Sequence, residues 1–239
     1  MELVIQDMAG VHNKDLQATG ARLIKGATWK QQRIIVIIPS AAMIPAKVAL
    51  SHWNLAFPPN NGVMRILALG DEVGVAYSQA IENILAHPEL SKWEYILTLE
   101  HDNMPPPDGV LKLLEQMDAH PEFSCIGGLY FTKGLGGVAQ IWGDPRGDLN
   151  FRPQVPIPNA LQECRGTGMG FNLWRMSMFK DPKLRRPWFK TQTKDGVATQ
   201  DLYFWADAQR HGYRCAIDTS VRVGHYDFSG AFGPADTVW

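Results

Sequence analysis

Tyr95-Ile-Leu-Thr-Leu-Glu100-His-Asp102-Asn103 is the stretch around which the chain is organised. Its first five residues are β-formers without polar alternation, the pattern of a strand buried on both faces of a parallel sheet. It ends in Glu100, His101, Asp102 and Asn103, followed by Met104 and three prolines that forbid continuation of the ladder. An apolar central strand therefore delivers two carboxylates to its carboxyl end. In extended backbone residues i and i+2 point to the same side, so Glu100 and Asp102 are expected to face one point. A divalent cation requires such an arrangement. A solvated loop after a strand has the same composition, and two acids one residue apart do not by themselves separate the two readings.

The flanking sequence repeats the alternation of strand and helix. Arg33 to Ile38 reads as a buried strand stopped by Pro39 and Ser40, and Pro45 starts a helix that runs towards Phe57 and ends at Pro58 and Pro59. Met64 to Leu69 is a second strand, closed by Gly70, Asp71 and Glu72. Beyond it Val73, Ala76, Tyr77, Ala80, Ile81, Ile84 and Leu85 recur with helical spacing. A helix from Pro107 to Ala119 follows the central strand, and Ser124 to Phe131 makes a fourth strand. This order predicts a mostly parallel α/β sheet flanked by helices, a single Rossmann-like domain whose ligand site lies at the carboxyl ends of the strands. Asp71, Glu72, Glu100 and Asp102 all fall at that edge.

Downstream, residues 132–163 are rich in glycine and proline and predict an irregular lid or linker, with Trp142 placed either to stack on a sugar or to plug the core. Gly166-Thr-Gly-Met-Gly170 permits close backbone approach before a strand and short helix. Thr199 is a good amino-terminal cap for a helix from Gln200 to His211, closed by Gly212, which places Asp201 in the first turn. Arg214 to Ile217 and then Val221-Arg-Val-Gly-His225-Tyr-Asp227 follow, with His225 after a short apolar run. A lone histidine is more often structural than a ligand, and its meaning depends on whether it faces Asp102. The first turn after a strand, Pro39-Ser-Ala-Ala-Met-Ile-Pro45, lacks the glycine fingerprint of dinucleotide binding, which disfavours NAD or FAD.

A formal net charge of −1 over 239 residues gives no reason to expect general affinity for nucleic acid or acidic membranes. Cys125, Cys164 and Cys215 are odd in number and widely spaced, so neither a disulfide framework nor a zinc knuckle is expected. No stretch approaches the roughly 20 apolar residues of a membrane span. The expectation is a protein with no integral membrane segment, in the cytoplasm. Residues 1–32 read as an extension, an edge strand or a contact arm.

Taken together, Glu100-His-Asp-Asn-Met-Pro-Pro-Pro-Asp-Gly109, Gly166-Thr-Gly-Met-Gly-Phe171, Thr199-Gln-Asp-Leu-Tyr-Phe-Trp205 and Val223-Gly-His-Tyr-Asp227 resemble, in the right order, the GT-A nucleotide-diphospho-sugar transferases, most of all the family 2 glycosyltransferases. The likeness covers about residues 33–227. It implies a nucleotide-binding half over 33–131 and an acceptor-side half over 132–239. It also implies a nucleotide-diphospho-sugar donor and Mn²⁺ or Mg²⁺ as cofactor.

By the same resemblance Glu100-His-Asp102 stands for the D-x-D element. Asp102 would then touch the metal, and Glu100 the ribose or the metal's water shell. Asp71 and its neighbour Glu72 would read the nucleobase, with Pro39 on the same donor side. Asp201 would be the catalytic base, and His225 would complete the metal site. Gly168, Met169, Gly170, Trp142 and Trp188 are the acceptor-side candidates. The chain departs from the pattern in Glu100 for Asp, in Gln200 for Glu, and in Ser78-Gln79 where an Arg-Asn pair is usual.

The implied chemistry is transfer of a sugar to an acceptor hydroxyl with inversion, the cation neutralising the leaving diphosphate and Asp201 taking the hydroxyl proton. The acceptor is open among a glycan, a lipid-linked saccharide, a protein and a modified nucleic-acid base. A sugar-phosphate nucleotidyltransferase, a glycoside hydrolase and a catalytically silent carbohydrate-binding module are the alternatives.

Overall fold

The computed structural model describes residues 32–59, 62–134, 136–191, 199–227 and 237–238. Of the expected amino-terminal element, all but residue 32 lies outside them. In chain order the elements are β1 (Ile34–Ser40), α1 (Ala46–Trp53), β2 (Val63–Leu69), α2 (Val73–Ala86), β3 (Tyr95–Leu99), β4 (Asn103–Met104), α3 (Gly109–Ala119) and β5 (Cys125–Leu129). There follow β6 (Ile141–Trp142), β7 (Leu161–Cys164), β8 (Gly166–Thr167), β9 (Phe171–Arg175), α4 (Met176–Phe179), α5 (Gln200–Ala208), β10 (Cys215–Arg222), β11 (Gly224–Tyr226) and β12 (Thr237–Val238).

Seven strands form one sheet in the order β2-β1-β3-β9-β5-β10-β7. β1, β2, β3, β5 and β10 run one way, while β9 and β7 oppose them. The sheet is thus a mostly parallel, Rossmann-like one, and both halves of the chain feed it. Every residue of β1, β3 and β5 is buried, because helices cover both faces. Ile35 and Ile37 of β1 pack with Tyr77 and Ile81 of α2 and Phe204 and Trp205 of α5. Ile34 and Val36 face the other way, against Val110, Leu111 and Leu114 of α3.

Two local expectations are corrected. β1 continues through Pro39 to Ser40, because its ladder with β3 stops at Ile37 and only β2 pairs beyond that point. α1 ends at Trp53, well short of Phe57. β3 and β5, the strands on either side of α3, are not neighbours in the sheet, since β9 lies antiparallel between them. Residues 132–163 are also less irregular than expected, because they supply β6 and the start of β7.

An aromatic cluster fixes α5 against the sheet. Trp174 of β9 stacks on Trp205 at 5.4 Å between ring centroids and meets Phe204 edge-on at 5.5 Å, while Phe189 lies 4.8 Å from Phe204. Such pairs contribute about 0.5–1.5 kcal/mol each beyond their buried area. Trp174 Nε1 donates to Thr98 Oγ1 of β3 at 3.0 Å, so the cluster ties the start of α5 to the strand that ends in Glu100. Cys125, Cys164 and Cys215 are all buried and free.

Candidate active site

Chain direction changes sharply after β3. The Asn103 amide donates to the Glu100 carbonyl at 3.1 Å, so residues 100–103 form a tight turn rather than the extended run that would align two acids. The Glu100 amide donates to the Gly170 carbonyl at 3.0 Å. Asn103 then pairs with His225 in a second small sheet, and the Tyr226 amide donates to the Asp102 carbonyl at 2.7 Å. This short ladder sets His225 beside Asp102, with Nε2 3.6 Å from Oδ2. The Phe131 carbonyl lies 2.7 Å from His225 Nδ1, so that nitrogen is the donor and Nε2 is left facing the carboxylate.

Lys133 comes closer to Asp102 than His225 does, its Nζ 2.6 Å from Oδ2. It rides on a hairpin in which Gln140 N donates to Tyr130 O at 2.9 Å, Thr132 N to Val138 O at 2.9 Å and Gly137 N to Gly134 O at 3.2 Å. Gly134 and Gly136 take the positive φ values of 104° and 74° that the turn needs. Burial pushes the Asp102 carboxyl up, but the hydrogen bonds and charges of His225 and Lys133 outweigh it and hold the group well below the usual carboxylate range.

Among the described residues Glu100 has no such basic partner in an ion pair. Burial, together with the charges of Asp102 and Asp201, raises it to about 8, with Lys133 opposing. Asp201, in the first turn of α5, is buried too, and burial raises its carboxyl above the ordinary range. Thr199 occupies the N-cap position, its carbonyl accepting the Tyr203 amide at 2.9 Å, but its hydroxyl donates to Asp201 Oδ1, which also accepts the Leu202 amide at 2.8 Å.

Glu100, Asp201 and His225 line one cavity of about 700 Å³, with Asp102 behind His225. That is the size of a small-molecule site. Trp142 and Met169 line it as well, and Trp142 Nε1 donates to Gln140 Oε1 at 2.9 Å. Arg185 before α5, Tyr203 within it and Arg210 just after it add cationic and aromatic surface.

The other expected site residues lie elsewhere. Trp188 is fully buried against Phe179, so it is a core residue and not an acceptor contact. Gly168 and Gly170 lie under the cavity, where a Cβ at Gly170 would meet Asn103 Oδ1 at 2.5 Å and Tyr130 Cζ at 2.7 Å. They allow the backbone to pass beneath Tyr130, whose hydroxyl accepts the Gly170 amide at 2.8 Å. Glu72 caps α2 by accepting the Gly74 and Val75 amides at 3.0 and 3.2 Å, and it accepts the Thr191 hydroxyl at 2.7 Å. It borders a separate cavity of about 560 Å³ with Ser78 and Gln79. Asp71 is exposed beside it, and Pro39 is buried in β1.

Sequence reasoning missed Lys133, Arg185 and Arg210. A signal for the first exists in Phe131-Thr-Lys-Gly-Leu-Gly-Gly137, a glycine turn directly after a strand, which is how a hairpin reads.

The expected metal set is not assembled. Among the described residues no group of three or more His, Cys, Asp or Glu side chains is placed to hold a metal ion. The charges of Glu100 and Asp102 oppose each other, and Asp102 Oδ2 already meets the Lys133 ammonium at 2.6 Å. As arranged, Asp102, His225 and Glu100 do not fit the cation.

No protein-family model matches the chain, and comparison with curated protein sequences yields no match. Solved structures do match in fold. A197 from STIV is similar over 82% of this chain and 86% of its own, at 18% identity and a TM-score of 0.59. Residues 1–349 of TarS from S. aureus, crystallised with UDP-GlcNAc, are similar over 80% of this chain and 57% of theirs, at 12% identity and a TM-score of 0.52. At these identities the likeness is one of fold. No helix among the described residues is long and apolar enough to cross a membrane.

Proposed function

We propose that the chain is a GT-A glycosyltransferase that moves a sugar from a nucleotide-diphospho-sugar to an acceptor hydroxyl, with Asp201 as general base. The observation that carries this reading is the convergence of Asp201, Glu100 and His225, from three distant parts of the sequence, on one cavity at the carboxyl edge of the parallel strands. That edge is where open α/β sheets bind ligands. The fold shared with a UDP-GlcNAc-bound protein supports a nucleotide sugar as the donor.

In the proposed reaction the acceptor oxygen attacks the anomeric carbon as the bond from that carbon to the diphosphate oxygen breaks. The bonding pair leaves with the nucleoside diphosphate, and the hydroxyl proton passes to Asp201. Thr199 and the Leu202 amide hold Oδ1, which leaves Oδ2 to accept the proton. A raised carboxyl is a stronger base once ionised, which suits this role. Direct attack from the side opposite the leaving group inverts configuration.

Donor-side roles follow the same reading. Asp71 reads the base at the end of β2, and Glu72 holds the adjoining helix start in place. Trp142, with its ring held by Gln140, offers a face to a sugar. The test is incubation with a panel of nucleotide sugars and assay of released nucleoside diphosphate. Release that requires Asp201 supports the reading, and the absence of release with every donor, alone and with added acceptor saccharides, would overturn it.

A further inference from the structure

Resting on the glycosyltransferase reading, we propose that Lys133 takes the place of the divalent cation: its ammonium, seated on Asp102, grips the donor's diphosphate, so that donor binding needs no metal. The juxtaposition is built. Lys133 Nζ lies 2.6 Å from Asp102 Oδ2, and His225 Nε2 approaches the same oxygen at 3.6 Å. Asp102 is thus the counter-ion of the Lys133 ammonium instead of an open ligand.

Backbone geometry shows that the lysine is delivered to this spot. The hairpin between Tyr130 and Gln140 is closed by three backbone hydrogen bonds, and the Thr132 hydroxyl accepts the Val138 amide at 2.9 Å at its neck. The same strand end supplies Phe131 O, which orients His225. One short segment therefore positions both nitrogen groups around Asp102.

The ammonium can also meet a ligand. The Lys133 side chain is 32% exposed, whereas that of Asp102 is 12% exposed, so the lysine is the outer member of the pair. A carboxylate behind an ammonium holds it in place and in its charged form, and an ammonium binds phosphate as a point charge. Expulsion of a diphosphate needs positive charge beside the leaving oxygens, and the electrostatic part of that task does not distinguish an ammonium from a metal.

The test is calorimetric titration of UDP, GDP, CDP, ADP and dTDP into the full chain, first in EDTA and then with Mn²⁺. Wild type is expected to bind one of them in EDTA, with less than about a twofold gain from Mn²⁺. Lys133→Gln should lose about ten- to a hundredfold in EDTA, the range of a charge-assisted contact. It should recover part of the loss with Mn²⁺, because Asp102 and His225 are then released to ligate. Lys133→Arg should keep most of the EDTA affinity.

A wild type that binds only with Mn²⁺ overturns the proposal while leaving the transferase reading intact, and it does so without any variant. Unchanged EDTA affinity in a folded Lys133→Gln overturns it likewise. Binding of none of the five nucleotides under either condition removes both the proposal and the reading beneath it.

Discussion

Lys133 Nζ and Asp102 Oδ2, 31 residues apart in sequence, stand 2.6 Å apart beside His225, which lines the cavity. With His225 on the same oxygen, the carboxylate joins three segments of the chain. Removing its charge strands two basic groups around a neutral amide. Asp102→Asn should lower stability by about 1–3 kcal/mol, the cost of losing charged hydrogen bonds at a mostly buried site. Urea unfolding at neutral pH measures this, and an unchanged midpoint would show that solvent screens the pair.

Asp201→Asn tests the base separately from the fold. The amide can still accept from Thr199 and from the Leu202 amide through its oxygen, so α5 should start where it does now. Turnover should fall by about 10²–10⁴, the usual contribution of a general base, while nucleotide affinity stays near wild type. Single-turnover assays with a nucleotide sugar that returned wild-type rates would place the base elsewhere.

The two tryptophans expected on the acceptor side separate into different experiments. Trp188 is fully buried, with the Arg186 guanidinium 4.6 Å from its ring centroid, so Trp188→Ala opens a large void. It should cost about 3–5 kcal/mol and leave the KM of any surviving enzyme unchanged. Trp142 faces the cavity, and Trp142→Ala should raise acceptor KM with a much smaller effect on the melting temperature. Equal stability losses in the two variants would make Trp142 a packing residue.

Their contrast shows what a single sequence carries. Both residues sit near prolines, and nothing in spacing tells that one plugs the core and the other lines a cavity. The strands of the parallel core were legible because burial on both faces removes alternation altogether, as in Ile34 to Ile38. The place of β9 was not, since pairing partners leave no mark on local periodicity. Asp201 and His225 stood out by residue type at element ends, and their meeting depended on the 100–103 turn and the two-residue ladder of Asn103 with His225. Lys133 escaped notice because a lysine in a glycine turn looks like ordinary surface.

Glu100 gives the structure a pH dependence whose sign can be worked out. Its folded-state value, about 8, lies above the 4.5 of a free glutamate. Between those limits the folded chain keeps a proton that the unfolded chain has released, so stability falls as pH rises through the window and levels off above it. Asp201 is raised by burial and acts in the same sense, whereas Asp102 is depressed and withdraws its stabilisation only as pH falls in the acid range. Denaturant midpoints should therefore decline from about pH 5 to about pH 8. Glu100→Gln is neutral throughout, so it should flatten most of that decline and be more stable than wild type at the alkaline end. A Glu100→Gln profile parallel to wild type would mean that the carboxyl is ionised at neutral pH, held by the cationic side of the cavity.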